Sequence, residues 1–302
     1  MTARWRVLDC SQTTGKISAG RGNLKVTTEA GSREFPCADL AVALIGLEIS
    51  ISTGAIHRLI DNGVAVLFCD WKGVPYGGSY PWSKHTRVGA RQRSQSELSL
   101  PRQKNAWARI VYAKVLGQAR VLSDHDRPGA SQLQTLAKHI RSGDPENIEA
   151  HAARIYWRSL WGEQEFHRIP GKGHHDDVLN AALDYAYTVL RGHGIRAVLA
   201  AGLMPAFGVF HRGRSNNFAL VDDLIEPFRP AIDDAVFSLP TLESGLDSGN
   251  RRLLVEATSR AFCADGQTIP SAFNDLAQHF GQYVENEIKV LPVVAWSGVR
   301  NG

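Results

Sequence analysis

Three side chains stand in surroundings that an ordinary surface would not give them: Glu149, His211 and Glu226. Glu149 has Ala152, Ala153 and Tyr156 at i+3, i+4 and i+7. On a helix these put small residues around a carboxylate and leave room for a ligand. The plain alternative is a solvated helix glutamate. His211 ends the almost wholly apolar run Ala200–Phe210, so a chain crossing the core would deliver its imidazole to a pocket rim. Neutral imidazole is a metal ligand and a general base; a core or cap histidine is the plain alternative. Glu226 follows Asp222 and Asp223 at i,i+4 and i,i+3. Three acids that close repel one another unless a cation joins them. Arg229, three residues on, could be that cation. Pro230 has no N–H for the Glu226 carbonyl, which predicts a kink or an end to the helix.

Two carboxylates and one histidine form a hard O/N donor set that suits Mg²⁺ or Mn²⁺. Such a site polarises phosphate oxygens and stabilises a leaving oxygen. Spacing alone does not bring Glu149 near His211. Two other stretches imitate sites. His174-His175-Asp176-Asp177 reads as a loop end with an aspartate N-cap on a helix from Val178. Gly171-Lys172-Gly173 lacks the frame of a P-loop.

The elements that must position these residues follow from pattern. The chain has 302 residues, of which 43% are hydrophobic and 21% charged, so it can bury a core. Met1–Cys10 has no apolar leader segment, and Ala197–Phe210 is too short to span a membrane. A soluble, cytoplasmic protein is expected. Cys10, Cys37, Cys69 and Cys263 form no CxxC pair and read as core fillers. Residues 1–150 carry 20 Lys+Arg against 13 Asp+Glu; residues 151–302 carry 14 against 17. Lys84–Lys114 holds eight basic residues and one acid, Glu97. This stripe reads either as a phosphate grip or as a solvated helix face.

The pattern predicts an α+β protein. A small β-rich domain, 1–73, carries strands at Trp5–Leu8, Asn23–Thr28, Leu40–Ile45 and Val64–Cys69, with a helix at Ser52–Asn62. Prolines and glycines mark 74–83 as a linker. A larger all-helical domain, 84–302, follows. Its helices include one with Trp107, Ile110, Val111, Val115 and Leu122 on one face, then Gln132–Arg141, Pro145–Trp161 with Asp144 as N-cap, Asp176–Arg191 and Phe218–Phe228. Trp296–Gly302 is expected to fray.

Four stretches then resemble one family. Gly143-Asp144-Pro145-Glu146-Asn147-Ile148-Glu149-Ala150, with Ala152-Ala153-Arg154-Ile155-Tyr156-Trp157, resembles the first catalytic motif of the CRISPR-associated adaptation integrases. Asp177–Tyr187 is similar to their helix of Asn, Leu and paired Tyr. Gly202-Leu203-Met204-Pro205-Ala206-Phe207-Gly208-Val209-Phe210-His211 resembles their Gly-x-x-Pro-x-x-Gly-x-x-His motif, and Asp222–Pro230 their acidic motif ending in Phe-Arg-Pro. Each stretch alone is weak; four in order are specific.

The resemblance implies that Glu149, His211 and Glu226 are the catalytic metal ligands, with Asp222 and Asp223 as candidate supporting acids. It implies a metal-dependent DNA endonuclease and integrase that inserts short double-stranded fragments at a CRISPR repeat by transesterification. It also implies a homodimer, formed with a small second adaptation protein through the β-rich domain. The wording of Asn216-Asn217-Phe218 and Glu226-Pro227-Phe228 looks most like members from systems with a single effector nuclease, a further candidate partner. Lys84, Arg87, Arg91 and Arg93 are the expected phosphate contacts. Tyr187 either stacks on a nucleotide or fills the core. A repair nuclease with the same site and a non-catalytic DNA-binding scaffold are the competing functions.

Overall fold

The computed structural model describes residues 6–71, 73, 75–81, 85–162, 166–169, 177–240 and 245–298. Its first part is two four-stranded sheets. In β3 (Asn23–Thr28) Leu24 and Val26 face inward and Lys25 and Thr27 outward, the alternation of a half-buried strand. β3 pairs antiparallel with β2 (Gly15–Ala19) and β4 (Gly31–Pro36), and β6 (Ile49–Ile51) lies parallel to β2. β5 (Leu40–Ile45) does not alternate, because all six residues are buried. It is the centre of the second sheet, parallel to β1 (Arg6–Cys10) and β7 (Ala65–Cys69), where both faces are covered. α1 (Thr53–Asp61) joins β6 to β7, capped by the Ser52 hydroxyl accepting from the Ala55 N–H.

The second sheet ends on β8 (Pro75–Ser79), antiparallel to β7. The stretch expected to be a linker over 74–83 is therefore partly an edge strand. Proline is compatible with this at the first residue of an edge strand, where its missing N–H breaks no ladder bond.

The rest is helical: α2 (Val88–Ser96), α3 (Leu100–Asp124), α4 (Ala130–Lys138), α5 (Ile148–Trp161), α6 (Val178–Ala200), α7 (Ala219–Leu224), α8 (Arg229–Phe237), α9 (Ser248–Ala257) and α10 (Ile269–Val284). α3 buries Trp107, Ile110, Val111, Val115 and Leu122, the face its sequence predicts. The sequence pattern ends α6 at Arg191, but the helix runs on to Ala200. Its glycines do not end it; they let it approach the sheet. A Cβ on Gly192 would lie 2.7 Å from Val42 Cγ1. Consequently Val42, Leu44, Leu67 and Cys69 belong to the helical core, while Leu8, Ala43, Ile45 and Val66 belong to the N-terminal core.

Three further boundaries differ from expectation. α4 ends at Lys138, before Arg141. α5 begins at Ile148 rather than Pro145, because Asp144 and Asn147 take φ of 47° and 52° and form a left-handed turn. The expected break near Pro230 falls earlier, at a 3-10 turn over Glu226–Phe228; Pro230 sits in the first turn of α8, where no N–H is needed. Trp296 is buried and Ser297 donates to the Phe262 carbonyl, so those two positions are tied down; 299–302 lie outside the described residues. Cys10, Cys37 and Cys69 are buried as expected, and Cys263 is half-buried. Among the described residues no helix is long and apolar enough to cross a membrane.

Candidate active site

Glu149 occupies the first turn of α5. Asp144 holds it there, its Oδ1 accepting from the Ile148 N–H and its Oδ2 from the Glu149 N–H, each at 2.9 Å. The aspartate satisfies amides that a helix start leaves without partners. Glu226 comes from the 3-10 turn after α7 and is buried, 4% exposed. A buried carboxylate needs a positive partner, and it has two. Arg229 Nε lies 2.8 Å from Oε1, and Lys114 Nζ lies 2.5 Å from Oε2.

The same Lys114 ammonium lies 2.6 Å from Glu149 Oε1. Two carboxylates far apart in the chain therefore converge on one cation, supplied from the middle of α3. Burial pushes the Glu226 carboxyl up, but Arg229 and Lys114 outweigh it and hold it below the usual carboxylate range. Burial opposes the Lys114 ammonium, yet Glu226 and Glu149 keep its pKa above that of an ordinary lysine. Lys114 is thus both the charge partner and a hydrogen-bond partner of the Glu226 carboxylate.

Arg229 is itself supported from behind. Its guanidinium lies 4.5 Å from the centre of the Tyr187 ring, and the Tyr187 hydroxyl donates to Asp233 Oδ1. Burial pushes the Asp233 carboxyl up to about 7 against the Tyr187 hydrogen bond and the Arg229 charge. Tyr187 is 8% exposed and also faces Arg168, so it is a core tyrosine with no free face for a nucleotide.

His211 lies in the irregular stretch between α6 and α7. Asp223, fully buried, anchors that stretch: Val209, Phe210 and His211 donate their N–H groups to it at 2.6, 3.0 and 3.1 Å. Gly208 permits the approach, since a Cβ there would sit 2.8 Å from Asp223 Oδ2. Gln95 of α2 ties the start of the stretch, donating to the Met204 and Phe207 carbonyls and accepting from the Met204 N–H. His211 Nδ1 lies 2.6 Å from Asp223 Oδ1, which leaves Nε2 for a ligand. The Asp223 hydrogen bond raises the His211 pKa against burial, and Glu226 and Asp222 reinforce it.

The candidate supporting acids thus act elsewhere. Asp223 orients the imidazole, and Asp222 takes Arg191 through two contacts of 2.9 Å and the Asn216 amide at 2.8 Å. The acids that crowd one another in sequence face three different partners. Among the described residues, no three His, Cys, Asp or Glu side chains are drawn round one point. Two of the three expected ligands are brought together by Lys114, and His211, its orientation fixed, lies near enough to Glu226 for the two charges to interact.

The basic stretch divides. Arg91 is buried; its Nε lies 3.1 Å from Glu285 and its Nη1 donates to the Ala201 carbonyl and to Gln278. It is a structural bolt between α2 and α10, not a phosphate contact. Arg87 pairs with Glu285 at 2.6 Å while its side chain stays exposed. Arg93 is exposed, and Lys84 lies outside the described residues. Lys114, counted with the stripe in sequence, belongs to the acid site. Its signal was legible: a lysine on the buried face of α3, with Ile110 and Val111 one turn before it. Gln95 left no comparable signal. His174, His175 and Asp176 lie outside the described residues, whereas Asp177 does cap α6 by accepting from the Asn180 N–H.

The family model described as CRISPR associated protein Cas1 matches residues 11–244. The chain belongs to the Cas1 family. The matched Cas1 stretch contains Glu149, His211 and Glu226. A CRISPR-associated endonuclease Cas1 of Neisseria meningitidis is 37% identical over 237 residues, covering 78% of this chain and 76% of the relative. Two solved structures share the fold. A casposase bound to integration product has a TM-score of 0.77 at 18% identity, covering 99% of this chain and 95% of its own. A Cas6-RT-Cas1–Cas2 complex has a TM-score of 0.76 at 17% identity, covering 99% of this chain and 37% of that one.

Proposed function

We propose that this Cas1-family chain is a DNA integrase and endonuclease of CRISPR adaptation, and that Glu149, His211 and Glu226 hold one Mg²⁺ or Mn²⁺ ion at its reaction centre. One observation carries the proposal: Glu149 and Glu226 meet on a single cation, Lys114 Nζ. Two carboxylates around one positive charge fit a hard divalent ion. Such an ion, when bound, stabilises charge on the non-bridging and leaving oxygens of a phosphodiester.

The chain's own residues do the remaining work. Asp144 fixes the Glu149 backbone, and Arg229 with Lys114 keeps Glu226 ionised. Asp223 holds the His211 ring with Nε2 outward, the role of a carboxylate behind a ligating histidine. As a ligand, His211 does not act as general base. In strand transfer the 3′-hydroxyl of a short fragment forms a new P–O bond at the repeat edge. The old P–O bond breaks, and the departing 3′-oxygen takes up a proton. Exposed Arg93 and the partly exposed Arg87 bind phosphates. In this reading the chain works as a homodimer with a small second adaptation protein, a partnership in line with the Cas1–Cas2 complex named above; the effector nuclease is a further partner.

An integration assay with a labelled fragment and a repeat-bearing plasmid tests the proposal. Joined product should require Mn²⁺ or Mg²⁺ and vanish in Glu149→Ala. Undiminished joining by Glu149→Ala protein would remove the metal assignment.

A further inference from the structure

One feature beside the acids has no role in holding an ion. Phe210 precedes His211 and is 49% exposed. Its ring lies flat on Trp107, centroids 4.1 Å apart and planes within 1°. Trp107 is 1% exposed and packed into the buried face of α3, so the lower half of the stack is rigid. The upper face of Phe210 is turned away from it, toward solvent.

Three observations say what that face meets. First, the stack borders the reaction centre: His211 makes edge contacts with both rings, at 5.5 Å from Phe210 and 5.9 Å from Trp107. Second, Trp107 and Lys114 share one face of α3 two turns apart, on the order of 10 Å along the axis. A nucleotide whose phosphate lies at the acids therefore has its base within reach of the stack. Third, the surroundings are cationic. Arg212 and Arg214 follow in the same exposed loop, and Arg212 is tethered to Gln103 of α3 beside Trp107. An exposed flat aromatic next to arginines is the arrangement on which unpaired bases stack, without sequence readout.

We propose that Phe210, backed by Trp107, is a stacking platform for the nucleobase adjoining the phosphate that undergoes strand transfer. It is a positioning residue: it fixes the base, and through it the phosphate, without touching the reacting atoms. The placement rests on the reading of Glu149, His211 and Glu226 as the reaction centre. The platform accepts any base, since every base offers a π-face.

The test uses the full-length protein with integration half-site DNA carrying 2-aminopurine at single positions either side of the joint. Binding is first read on Glu149→Ala protein, so that stacking is measured without turnover. One position should be quenched on binding. That quenching should disappear in Glu149→Ala/Phe210→Leu, which keeps apolar cover over Trp107 but loses the ring, and should return in Glu149→Ala/Phe210→Tyr. In the otherwise wild-type protein, Phe210→Leu should slow strand transfer about five- to a hundredfold, with Mn²⁺ binding by calorimetry unchanged. Identical quenching and joining rates for Phe210→Leu and wild type would overturn the platform. Retained joining by Glu149→Ala would instead overturn the metal site, a separate result.

Discussion

The acid site and the basic stretch are both groups of like charge, and the fold treats them in opposite ways: it gathers acids that are distant in sequence and disperses bases that are neighbours. Glu149 and Glu226, 21% and 5% exposed at the side chain, are carried on different elements to a common point. Arg87, Arg91, Arg93 and Lys114 are close in sequence and end in different places: a surface pair, a buried bolt, open solvent and the acid site itself. Proximity along a helix puts successive residues on different faces. Convergence requires separate elements whose packing fixes their relative position. Lys114 makes the point most sharply, since it lies at the end of the basic stretch and neutralises the acids.

The comparison can be broken at its strongest point first. Glu149→Ala should lower strand transfer by more than the ~10- to 100-fold that follows loss of a residue that merely orients a metal ligand. The melting temperature should stay within a few degrees, because Lys114 keeps Glu226. A large fall in stability would mean that the acid pair is structural. Next comes Arg91→Ala, which leaves Glu285 to Arg87 alone and takes a donor from the buried Ala201 carbonyl and from Gln278. It should destabilise the fold by about 1–3 kcal/mol in urea unfolding; an unchanged midpoint would return Arg91 to the surface. Lys114→Met leaves Glu226 with Arg229, so it should destabilise the metal-free protein on a similar scale of about 1–3 kcal/mol and enlarge the thermal shift produced by Mn²⁺. If it changed only the salt dependence of DNA binding, Lys114 would belong to the stripe after all.

A smaller effect concerns pH. The Asp223 hydrogen bond lifts the His211 pKa above its ordinary 6.5, so below that raised value the ring is protonated in the free protein. Binding at Nε2 must release that proton. Mn²⁺ affinity should therefore climb as pH rises through the raised His211 pKa and flatten above it. A flat profile from pH 6 to 8 would take His211 out of the ligand set. Least of all, Arg93→Ala should change stability by no more than about 0.5 kcal/mol and reduce the salt slope of DNA binding by about 1. An unchanged slope would leave the exposed arginine outside the DNA surface.

Much of this organisation was legible beforehand, and for local reasons. β3, α1 and the buried face of α3 follow from periodicity, and Asp177 from capping chemistry; Asp144 bonds the first amides of α5, but from three residues before the actual N-cap, Asn147. β8 was not legible, because Pro75 and two glycines read as a breaker until a neighbouring strand supplies the pairing. The extension of α6 past Gly192 was hidden for the same kind of reason: the glycine serves Val42, a residue 150 positions away in the other part of the chain.

By itself the sequence determined which side chains could do chemistry. Residue type sets charge, hardness and hydrogen-bonding capacity, and the ordered motifs tied Glu149, His211 and Glu226 to one family. Only the tertiary structure decided what each charge faces. It gave Glu226 to Lys114 and Arg229, turned Asp223 toward the His211 ring, covered Tyr187 with guanidinium groups and left Phe210 open. Hydrogen bonds are lost within an ångström and ion-pair energies weaken with distance, and those distances are set by packing between elements that no local spacing encodes.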